Sequence, residues 1–386
     1  MENITSAQVN GKRVIVRVDY NVPIKEGKIL DDTRIVASLE TINYLVENGA
    51  KVILLSHLGR VKSEEDKKNN SLSIVAKRLS KLVKTPVYFV GSTRGHIVEE
   101  TINNLLDGEI ALLENTRYED FPKTLESSCD EALSKYWAAL GDIFVLEAFG
   151  SAHRCHASTY GISKYIPSYA GFLVEKETNM LNEALKSKKT LIMGGAKVED
   201  KIGVIDNLTP DADLLILGGA MCFTFLKAKG LDVGSSLVSE EHIEYAKGVL
   251  EKYGDKIVLP VDVMTQNGVK SVEELTDEDV GYDIGPKTIE IYKNKLRNSN
   301  MVLWNGPLGK YEEEAYENGT KYILKFLEKQ EFKTILAGGD VVAACSYFDT
   351  NMYYVSTGGG STLEYLEGKR FKTLERLKGS KWKKLF

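Results

Sequence analysis

The feature that most constrains the fold is a pattern that occurs four times in the second half of the sequence: a short apolar run followed at once by glycines. The glycines stand at 194–195, 218–219, 338–339 and 358–360, after the runs LIM, LLIL, TILA and YVST. Short apolar runs that end at glycine are typical of buried strands. Ligands bind outside the carboxyl ends of strands in an open parallel sheet, so the glycine clusters predict one crevice in which the backbone approaches a ligand closely.

The stretch 334–344 is predicted to form a strand, a tight turn and the start of a helix, because TILA breaks at two glycines and an aspartate before small residues. The unpaired N–H groups of a helix start bind anions together with the helix dipole, and phosphate is the usual ligand. Asp340 adds a carboxylate oxygen of the kind that Mg²⁺ takes beside nucleotide phosphates. An ordinary aspartate N-cap after a glycine turn is the alternative, and this stretch alone does not exclude it.

The first half alternates strand-like runs with helical segments. Strands are predicted at 13–19, 51–57, 86–90, 109–113 and 142–145, and a helix is predicted at 33–48. Strands separated by helices form βαβ units and parallel sheets, and the second half repeats the same alternation through Val355. The sequence therefore predicts an α/β fold of two Rossmann-like domains, each with a parallel β-sheet flanked by helices, joined by a hinge helix.

The length of 386 residues and the hydrophobic content of 43% favour two domains. Pro167 and Gly171 interrupt the chain between the halves, before a helical stretch from about Phe172. We predict a first domain at 1–170 and a second at 171–369. The basic tail at 370–386, which includes Trp382, is predicted either to pack on the first domain or to fray.

Charge and composition exclude several functional classes. The formal charge of −5 argues against a nucleic-acid-binding protein. The first ten residues lack the pattern of an export signal, and no run approaches about 18 apolar residues, so neither export nor a membrane partner is predicted. The four cysteines lie far apart without a CxxC pair, which favours packing roles in a reducing compartment. The predicted location is the cytoplasm.

Cations collect where the strands of the first half end. Five arginines lie in, at the end of or beside these strands: Arg17, Arg34, Arg60, Arg117 and Arg154. In a parallel sheet such side chains converge on one face, and the planar guanidinium suits phosphate and carboxylate oxygens. The implied ligand is small and polyanionic. His57 and His153 are weaker candidates, since a neutral histidine also serves local hydrogen bonds.

The second half supplies the glycine crevice together with lysines and carboxylates. Lys197 and Lys201 are four residues apart and would share one face of a helix, where their mutual repulsion makes more sense beside phosphates. Neither the P-loop pattern GxxxxGK[ST] nor the dinucleotide pattern GxGxxG occurs in the chain. An anion site in one half and a phosphate site in the other predict phosphoryl transfer across a closing cleft.

Eight motifs, in order along nearly the whole chain, closely resemble the phosphoglycerate kinase family. They are RVDYNVP (17–23), SHLGR (56–60), LENTR (113–117), AFGSAHR (148–154), GGAKV (194–198), WNGP (304–307), GGD (338–340) and STGGG (356–360). The resemblance implies transfer of a phosphoryl group between 1,3-bisphosphoglycerate and MgADP, giving 3-phosphoglycerate and MgATP. It also implies Mg²⁺ as cofactor, ATP and ADP as co-substrates, and a monomer. The acceptor in the ATP-consuming direction is a carboxylate that is ionised at pH 7, so no general base is needed.

The resemblance also implies roles for individual residues. Arg34, Lys197 and Lys201 would act on the transferring group, and Asp340 would hold Mg²⁺. Phosphoglycerate would be bound by Asp19, Tyr20, Asn21, Arg34, His57, Leu58, Gly59, Arg60, Arg117 and Arg154. The nucleotide would be bound by Gly195, Ala196, Lys197, Lys201, Gly219, Asn305, Gly306, Pro307, Glu312, Gly338, Gly339, Asp340 and Val341.

The chain departs from the family pattern at a few positions. It has Leu146 and Glu147 where Asn-Asp is usual, Val61 for a proline and Val341 for a threonine, and its tail lacks Leu-Pro-Gly near Phe371. The rival interpretation is a non-catalytic two-domain sensor that closes on an anion or nucleotide without turnover. A dehydrogenase is a more distant alternative, because the dinucleotide pattern is absent.

Overall fold

The structure is a computed structural model that describes residues 1–378, and these residues form two compact units. One unit comprises Met1–Thr178 and the chain from Arg370 onward, and the other comprises Asn179–Lys369. The division at Thr178 lies inside one helix, Phe172–Lys186.

The first unit is built on a six-stranded sheet in which all strands are parallel. Its strands are β1 (Arg13–Val18), the short pair β2 (Ile24–Lys25) and β3 (Lys28–Ile29), β4 (Lys51–Leu55), β5 (Val87–Val90), β6 (Ile110–Leu113), β7 (Ile143–Glu147) and β8 (Ser168–Ala170). Its helices are α1 (Thr33–Ala37), α2 (Leu39–Glu47), α3 (Glu64–Asn69), α4 (Ser73–Leu79), α5 (His96–Asn104), α6 (Glu131–Ala139) and the start of α7 (Phe172–Lys186). The sheet order is β5-β6-β4-β1-β7-β8, with β2 and β3 paired separately. The helix predicted at 33–48 is interrupted at Ser38, which caps both α1 and α2.

The second unit also contains a six-stranded parallel sheet, in the order β11-β10-β9-β15-β16-β17. Its strands are β9 (Thr190–Met193), β10 (Leu214–Leu217), β11 (Ile257–Val258), β12 (Asp262–Thr265), β13 (Gly268–Ser271), β14 (Gly281–Ile284), β15 (Met301–Asn305), β16 (Lys333–Ala337) and β17 (Tyr354–Val355). Its helices are α8 (Ile202–Leu208), α9 (Met221–Ala228), α10 (Ile243–Tyr253), α11 (Pro286–Leu296), α12 (Asn318–Leu327), α13 (Gly339–Tyr347) and α14 (Gly360–Leu366). The predicted fold class, two parallel sheets flanked by helices, is confirmed.

The second unit has one feature that the predicted strand and helix alternation missed. Strands β12, β13 and β14 form a separate antiparallel sheet in the order β13-β12-β14. The tight connection from Thr265 to Gly268 is a hairpin turn, whereas parallel strands need a long crossover. This small sheet matters for the site, because β14 begins beside the cleft described below.

The inner strands of both large sheets are buried almost throughout, as expected for parallel sheets covered on both faces, whereas the edge strands β5 and β11 are more exposed. Each unit has its own apolar core, which includes Val14, Val16, Leu54 and Val145 in the first unit and Ile192, Trp304 and Leu336 in the second.

The described part of the basic tail packs on the first unit. Helix α15 (Lys372–Glu375) follows Phe371, whose ring lies 6.0 Å from the ring of Phe149. Thr373 donates a hydrogen bond to the carbonyl of Ala152, and Arg376 donates to the carbonyl of Ser163 at 3.0 Å. The remainder of the predicted tail, including Trp382, lies outside the described residues.

Candidate active site

The polar site of the first unit lies where its parallel strands end. The segments after β1, β4, β6 and β7 carry the motifs that begin at Asp19, Ser56, Glu114 and Ala148. Because β1 pairs with both β4 and β7 in parallel register, the ends of these strands meet at one edge of the sheet. The topology thus brings distant motifs together.

Asp19 and Asn21 hold Arg34 and the backbone at Gly59 in place. Arg34 on α1 donates from Nη1 to both carboxylate oxygens of Asp19 at 3.2 Å and to the carbonyl of Asn21 at 3.2 Å. The Asn21 side chain accepts a hydrogen bond from the N–H of Gly59 at 2.8 Å. About a third of the Arg34 side chain remains exposed, which leaves guanidinium N–H groups available to a ligand.

The predicted cations surround His57. Burial lowers the pKa of His57 well below its ordinary value, and the charges of four arginines lower it further: Arg17, Arg117, Arg154 and Arg34. Burial also lowers the pKa of Arg117, and the charges of Arg154 and Arg60 act in the same direction. These effects place four arginines within electrostatic reach of His57 and Arg60 within reach of Arg117, and a bound anion would relieve their mutual repulsion. The site therefore suits a ligand that carries several negative charges.

Two predicted substrate residues turn their side chains away from this site. The Tyr20 ring is fully buried in the core, where its hydroxyl lies 3.0 Å from Ser38 Oγ. Leu58 is also a core residue, and its backbone is bound by the Asn115 side chain. The N–H of Tyr20 donates to Ser56 Oγ at 2.8 Å, so neither the side chains nor the N–H groups of these two residues are available to a ligand.

The second unit contains a cleft of about 500 Å³ at the carboxyl ends of β9, β10 and β15. It is lined by Gly195, Ala196, Gly219, Ala220, Leu237, Val280, Gly281, Tyr282, Pro307, Gly309, Lys310, Glu312 and Asp340. Six of the predicted nucleotide residues are among them: Gly195, Ala196, Gly219, Pro307, Glu312 and Asp340.

Close backbone contacts explain the glycines of this cleft. Gly306 has φ +79°, and a Cβ there would overlap the carbonyl of Gly194. Gly219 has φ +61°, and a Cβ there would overlap the backbone of Gly195. Both positions therefore demand glycine on conformational and steric grounds. The three strand-end turns interlock through their main chains, so the wall of the cleft is largely backbone.

Helix α13 begins at the edge of the cleft. Gly338 is its N-cap with φ +98°, and Asp340 in its first turn is exposed and lines the cleft. Asn305 lies beneath Gly338, fully buried, and donates from Nδ2 to the carbonyl of Ala337. Val341 was predicted to bind the nucleotide; its side chain is fully buried in the apolar core, so only its N–H can take part in a helix-end anion site.

The two predicted lysines lie in different surroundings and not on one helix face. Residues 194–201 precede α8, and Lys201 is the N-cap of that helix. Burial lowers the pKa of Lys201, while the negative charges of Asp200 and Asp340 raise it, which places Lys201 near Asp340. Lys197 is 61% exposed, forms an ion pair with Glu199 at 3.6 Å and does not line the cleft.

Comparisons with known proteins show which family the chain belongs to. The family model described as phosphoglycerate kinase matches residues 4–369. The phosphoglycerate kinase of Lactobacillus delbrueckii subsp. bulgaricus is 49% identical over 387 residues, which cover 95% of this chain and 96% of the relative. That of Enterococcus faecalis is 47% identical over 383 residues, with the same coverage. The chain belongs to the phosphoglycerate kinase family.

Solved structures of this family share the fold. The phosphoglycerate kinase from Coxiella burnetii superimposes with a TM-score of 0.87 at 36% identity, covering 97% of this chain and 98% of that one. The enzyme from Pyrococcus horikoshii OT3 gives a TM-score of 0.84 at 32% identity, covering 98% of each chain. As a family member the chain has phosphoglycerate kinase activity, a phosphoryl transfer to a carboxyl group that uses ATP and ADP. The predicted family and enzyme class are confirmed.

One departure from the usual family sequence lies at the start of α7. Glu147 ends β7 and is fully buried; its Oε1 accepts hydrogen bonds from Thr41 Oγ1 at 2.7 Å and from the N–H of Leu173 at 3.1 Å. Its Oε2 lies against Gly171 and has no hydrogen-bond partner within residues 1–378. Burial raises the pKa of Glu147 to about 8, although the hydrogen bonds from Thr41 and Leu173 lower it. In this phosphoglycerate kinase a protonatable group therefore lies at the start of the helix in which the two units divide.

Several residues of these sites were absent from the predicted set. Arg17 was counted among the cations at the strand ends but was given no individual role; it is 1% exposed, and its Nη2 lies 3.0 Å from Nδ1 of His57. In the cleft, Tyr282 comes from β14 of the antiparallel sheet that the sequence did not reveal, and Val280 immediately precedes that strand. Lys310 follows the predicted Pro307 closely, and its place between Pro307 and Glu312 was the available signal.

Residues 1–378 contain no group of three or more His, Cys, Asp or Glu side chains that could hold a metal ion by themselves. Asp340 is the carboxylate closest to the start of α13, so a divalent cation there would complete its coordination with phosphate oxygens and water, as Mg²⁺ does. The donor set therefore fits a metal that arrives with the nucleotide. No helix within residues 1–378 combines the length and apolar character needed to cross a bilayer.

Proposed function

We propose that this phosphoglycerate kinase transfers a phosphoryl group between 1,3-bisphosphoglycerate and MgADP by positioning and charge neutralisation, without a general base. The first unit binds phosphoglycerate and the second binds the nucleotide. The observation that carries the proposal is the cluster of arginines around His57, which suits a phosphate and a carboxylate on one small molecule.

In the first unit, the guanidinium groups of Arg60, Arg117 and Arg154 bind the phosphate of phosphoglycerate. Arg34, fixed by Asp19, binds the end of the molecule that carries the carboxyl group. This division follows from the hydrogen bonds, because Arg34 is held rigidly by three contacts while Arg154 and Arg60 are exposed. Rigid placement of a cation favours the reacting end of the substrate.

In the second unit, the start of α13 and the backbone around Gly195 and Gly219 receive the nucleotide. Glu312 also lines the cleft, and its carboxylate accepts hydrogen bonds from ribose hydroxyls. Asp340 holds Mg²⁺, which neutralises part of the phosphate charge when MgATP or MgADP is bound. Lys201 lies near Asp340, half-buried, and its ammonium contacts a nucleotide phosphate.

The transfer itself needs no proton acceptor. In the ATP-consuming direction the nucleophile is a carboxylate, which is already ionised at pH 7. The protein must bring that oxygen in line with the γ-phosphorus and balance the charge that spreads over the transferring group. Arg34, Lys197 and Lys201 are the cations assigned to this task. Lys197 is exposed and paired with Glu199, so its role requires that it leave that partner when substrates bind.

Substrates bound to different units react only if they meet, so closure about the segment that joins the units is part of the proposal. Helix α7 contains the division and has the buried Glu147 at its start. Small-angle scattering should give a smaller radius of gyration with 3-phosphoglycerate and an unreactive MgATP analogue together than with either alone. Equal radii in all states would reject closure.

The proposal is tested by measuring ATP formation from 1,3-bisphosphoglycerate and MgADP. Turnover that disappears with EDTA and returns with Mg²⁺ supports it. Binding of both ligands without turnover would instead support a sensor. A monomer and a cytoplasmic location remain predictions; the second is supported by four free cysteines, Cys129, Cys155, Cys222 and Cys345. Sedimentation and cell fractionation test them.

A further inference from the structure

A buried hydrogen-bonded chain lies behind the cations of the first unit. It begins at Glu126, which is fully buried and far in sequence from the strand-end motifs. The Glu126 carboxylate accepts hydrogen bonds from the N–H of Ser158 at 2.9 Å and from the Ser158 hydroxyl. Ser158 Oγ in turn accepts a hydrogen bond from Nε of Arg17 at 2.8 Å. From Arg17 through Ser158 to Glu126, each hydrogen bond therefore joins one donor to one acceptor.

The chain ends on His57. Nη2 of Arg17 lies 3.0 Å from Nδ1 of His57. A guanidinium only donates hydrogen bonds, so Nδ1 of His57 must accept. The same burial and positive charges that lower the pKa of His57 keep its ring neutral, and a neutral ring with Nδ1 as acceptor carries its proton on Nε2. His57 is therefore set as a hydrogen-bond donor at Nε2.

The carboxylate of Glu126 compensates the cost of burying the positive charge of Arg17. Burial lowers the pKa of Arg17, and the charge of Glu126 is the largest influence that raises it again. His156 lies 3.8 Å from Glu126 but does not replace Arg17 as its cationic partner, because burial lowers the pKa of His156 to about 3 and leaves it neutral. A buried cation without a paired and hydrogen-bonded anion would be strongly disfavoured.

We propose that Glu126 and Ser158 are positioning residues for phosphoglycerate: acting through Arg17, they fix His57 in the tautomer that donates from Nε2 to an anionic oxygen of the substrate. The inference rests on the proposed function, because it takes the first unit as the phosphoglycerate site. A histidine free to place its proton on either nitrogen would present an acceptor to that anion part of the time. The network thus fixes the proton of His57 on Nε2, so that the ring always presents a hydrogen-bond donor there.

The central variant is Ser158→Ala, which cuts the connection between Glu126 and Arg17 without removing a charge. Its matched control is Ser163→Ala, a buried serine of the same region whose hydroxyl donates to the carbonyl of Tyr160 and lies outside the network. We expect KM for 3-phosphoglycerate to rise about tenfold in Ser158→Ala, as for the loss of one well-placed hydrogen bond, while KM for MgATP changes less than about twofold. Ser163→Ala should change neither constant.

The second readout is independent of activity. In ¹⁵N-labelled protein, long-range ¹H–¹⁵N spectra distinguish the two neutral tautomers of histidine, and His57 is assigned by its absence from His57→Gln. The wild type should show the Nε2-protonated tautomer, and Ser158→Ala a mixture. A wild-type proton on Nδ1 overturns the inference outright, whether or not any variant folds. Glu126→Gln serves as a second variant and should change the tautomer in the same way.

The remaining outcomes are also decisive. A lower melting temperature in Ser158→Ala with unchanged KM for 3-phosphoglycerate would make the network purely structural. A raised KM for 3-phosphoglycerate with an unchanged tautomer would show that Ser158 does not act on substrate binding through His57. If the wild type itself converts no 3-phosphoglycerate, the proposed function fails; if the wild type and Ser163→Ala are active and Ser158→Ala matches them in both readouts, only this inference fails.

Discussion

Replacing Glu147 by glutamine should remove a large pH dependence from the stability of the first unit. Glu147 is buried at the start of α7; Oε1 is hydrogen-bonded to Thr41 and Leu173, and Oε2 lies against Gly171 without a hydrogen-bond partner within residues 1–378. Glutamine has the same shape as the protonated acid and keeps an oxygen for the two donors. The variant therefore imitates the protonated state at every pH.

The magnitude follows from the difference between the folded and unfolded chains. Burial raises the pKa of Glu147 from 4.5 to about 8 in the folded protein. Between these values the unfolded chain has lost its proton while the folded chain keeps it, so the unfolded state binds fewer protons and stability falls as pH rises. For one such group the free energy of unfolding decreases by about 2.5 kcal/mol between pH 5 and pH 7, and the decrease ends above pH 8.

Urea unfolding at pH 5, 6, 7 and 8 measures this difference. Trp137 is buried in the first unit, and a background with Trp304→Phe and Trp382→Phe makes it the single tryptophan reporter. Glu147→Gln should lose less stability than its parent between pH 5 and pH 7, by about 2.5 kcal/mol. Glu40→Gln is the control: Glu40 is exposed, and its charge only adds to the raised pKa of Glu147. Parallel pH curves for Glu147→Gln and its parent would refute the reasoning.

Three further predictions concern the site residues. Arg34→Ala should lower kcat by roughly 10²-fold in the steady-state assay, as for loss of a preorganised charge contact, and a rise in KM alone would assign Arg34 to ground-state binding. Gly306→Ala should destabilise the second unit by more than about 2 kcal/mol in urea unfolding, because its Cβ would overlap Gly194 at φ +79°, whereas Gly339→Ala, with open space around it, should not; equal effects would contradict the close-contact explanation. Val341→Thr should cost about 1–3 kcal/mol of stability without tightening MgADP binding in calorimetry, since the side chain is buried in the core; tighter binding would show that the hydroxyl reaches the phosphates.

The sequence predicted the parts of the structure that rest on local pattern. Parallel strands buried on both faces appear as continuous apolar runs, and several of these runs end at glycines, so most strands of the two large sheets were predicted with ends within two residues of those observed. Strands β8, β11 and β15 were not predicted. The antiparallel sheet was missed because its strands are only four residues long, and β13 has no buried residue that would make it stand out as an apolar run. Lys197 and Lys201 were placed on one helix because their spacing fits one, although α8 begins only after Lys201.

Side-chain direction was harder to predict than position. Tyr20 and Leu58 stand in the expected motifs, yet they point into the core, because neighbours along an extended segment face opposite ways. Arg17 shows the converse. An arginine within an apolar strand suggests an exposed side chain, but here it is buried, and its partner Ser158 lies 141 residues away in sequence. No local pattern contains such a pairing, so only the fold reveals it.

The two units bind anions by different physical means, and the difference matches their proposed ligands. The first unit gathers arginine side chains around His57, at the cost of mutual repulsion that a small molecule with several charges relieves. The second unit interlocks Gly194, Gly219 and Gly306, so that the backbone forms much of the wall of its cleft. In the proposed function, Mg²⁺ at Asp340 and the ammonium of Lys201 would neutralise the phosphate charge there. A long ligand with one end shielded by a metal needs close main-chain approach more than it needs cations. A small ligand with a phosphate and a reacting carboxylate needs fixed cations, and the buried network behind Arg17 is the kind of support that fixing them requires.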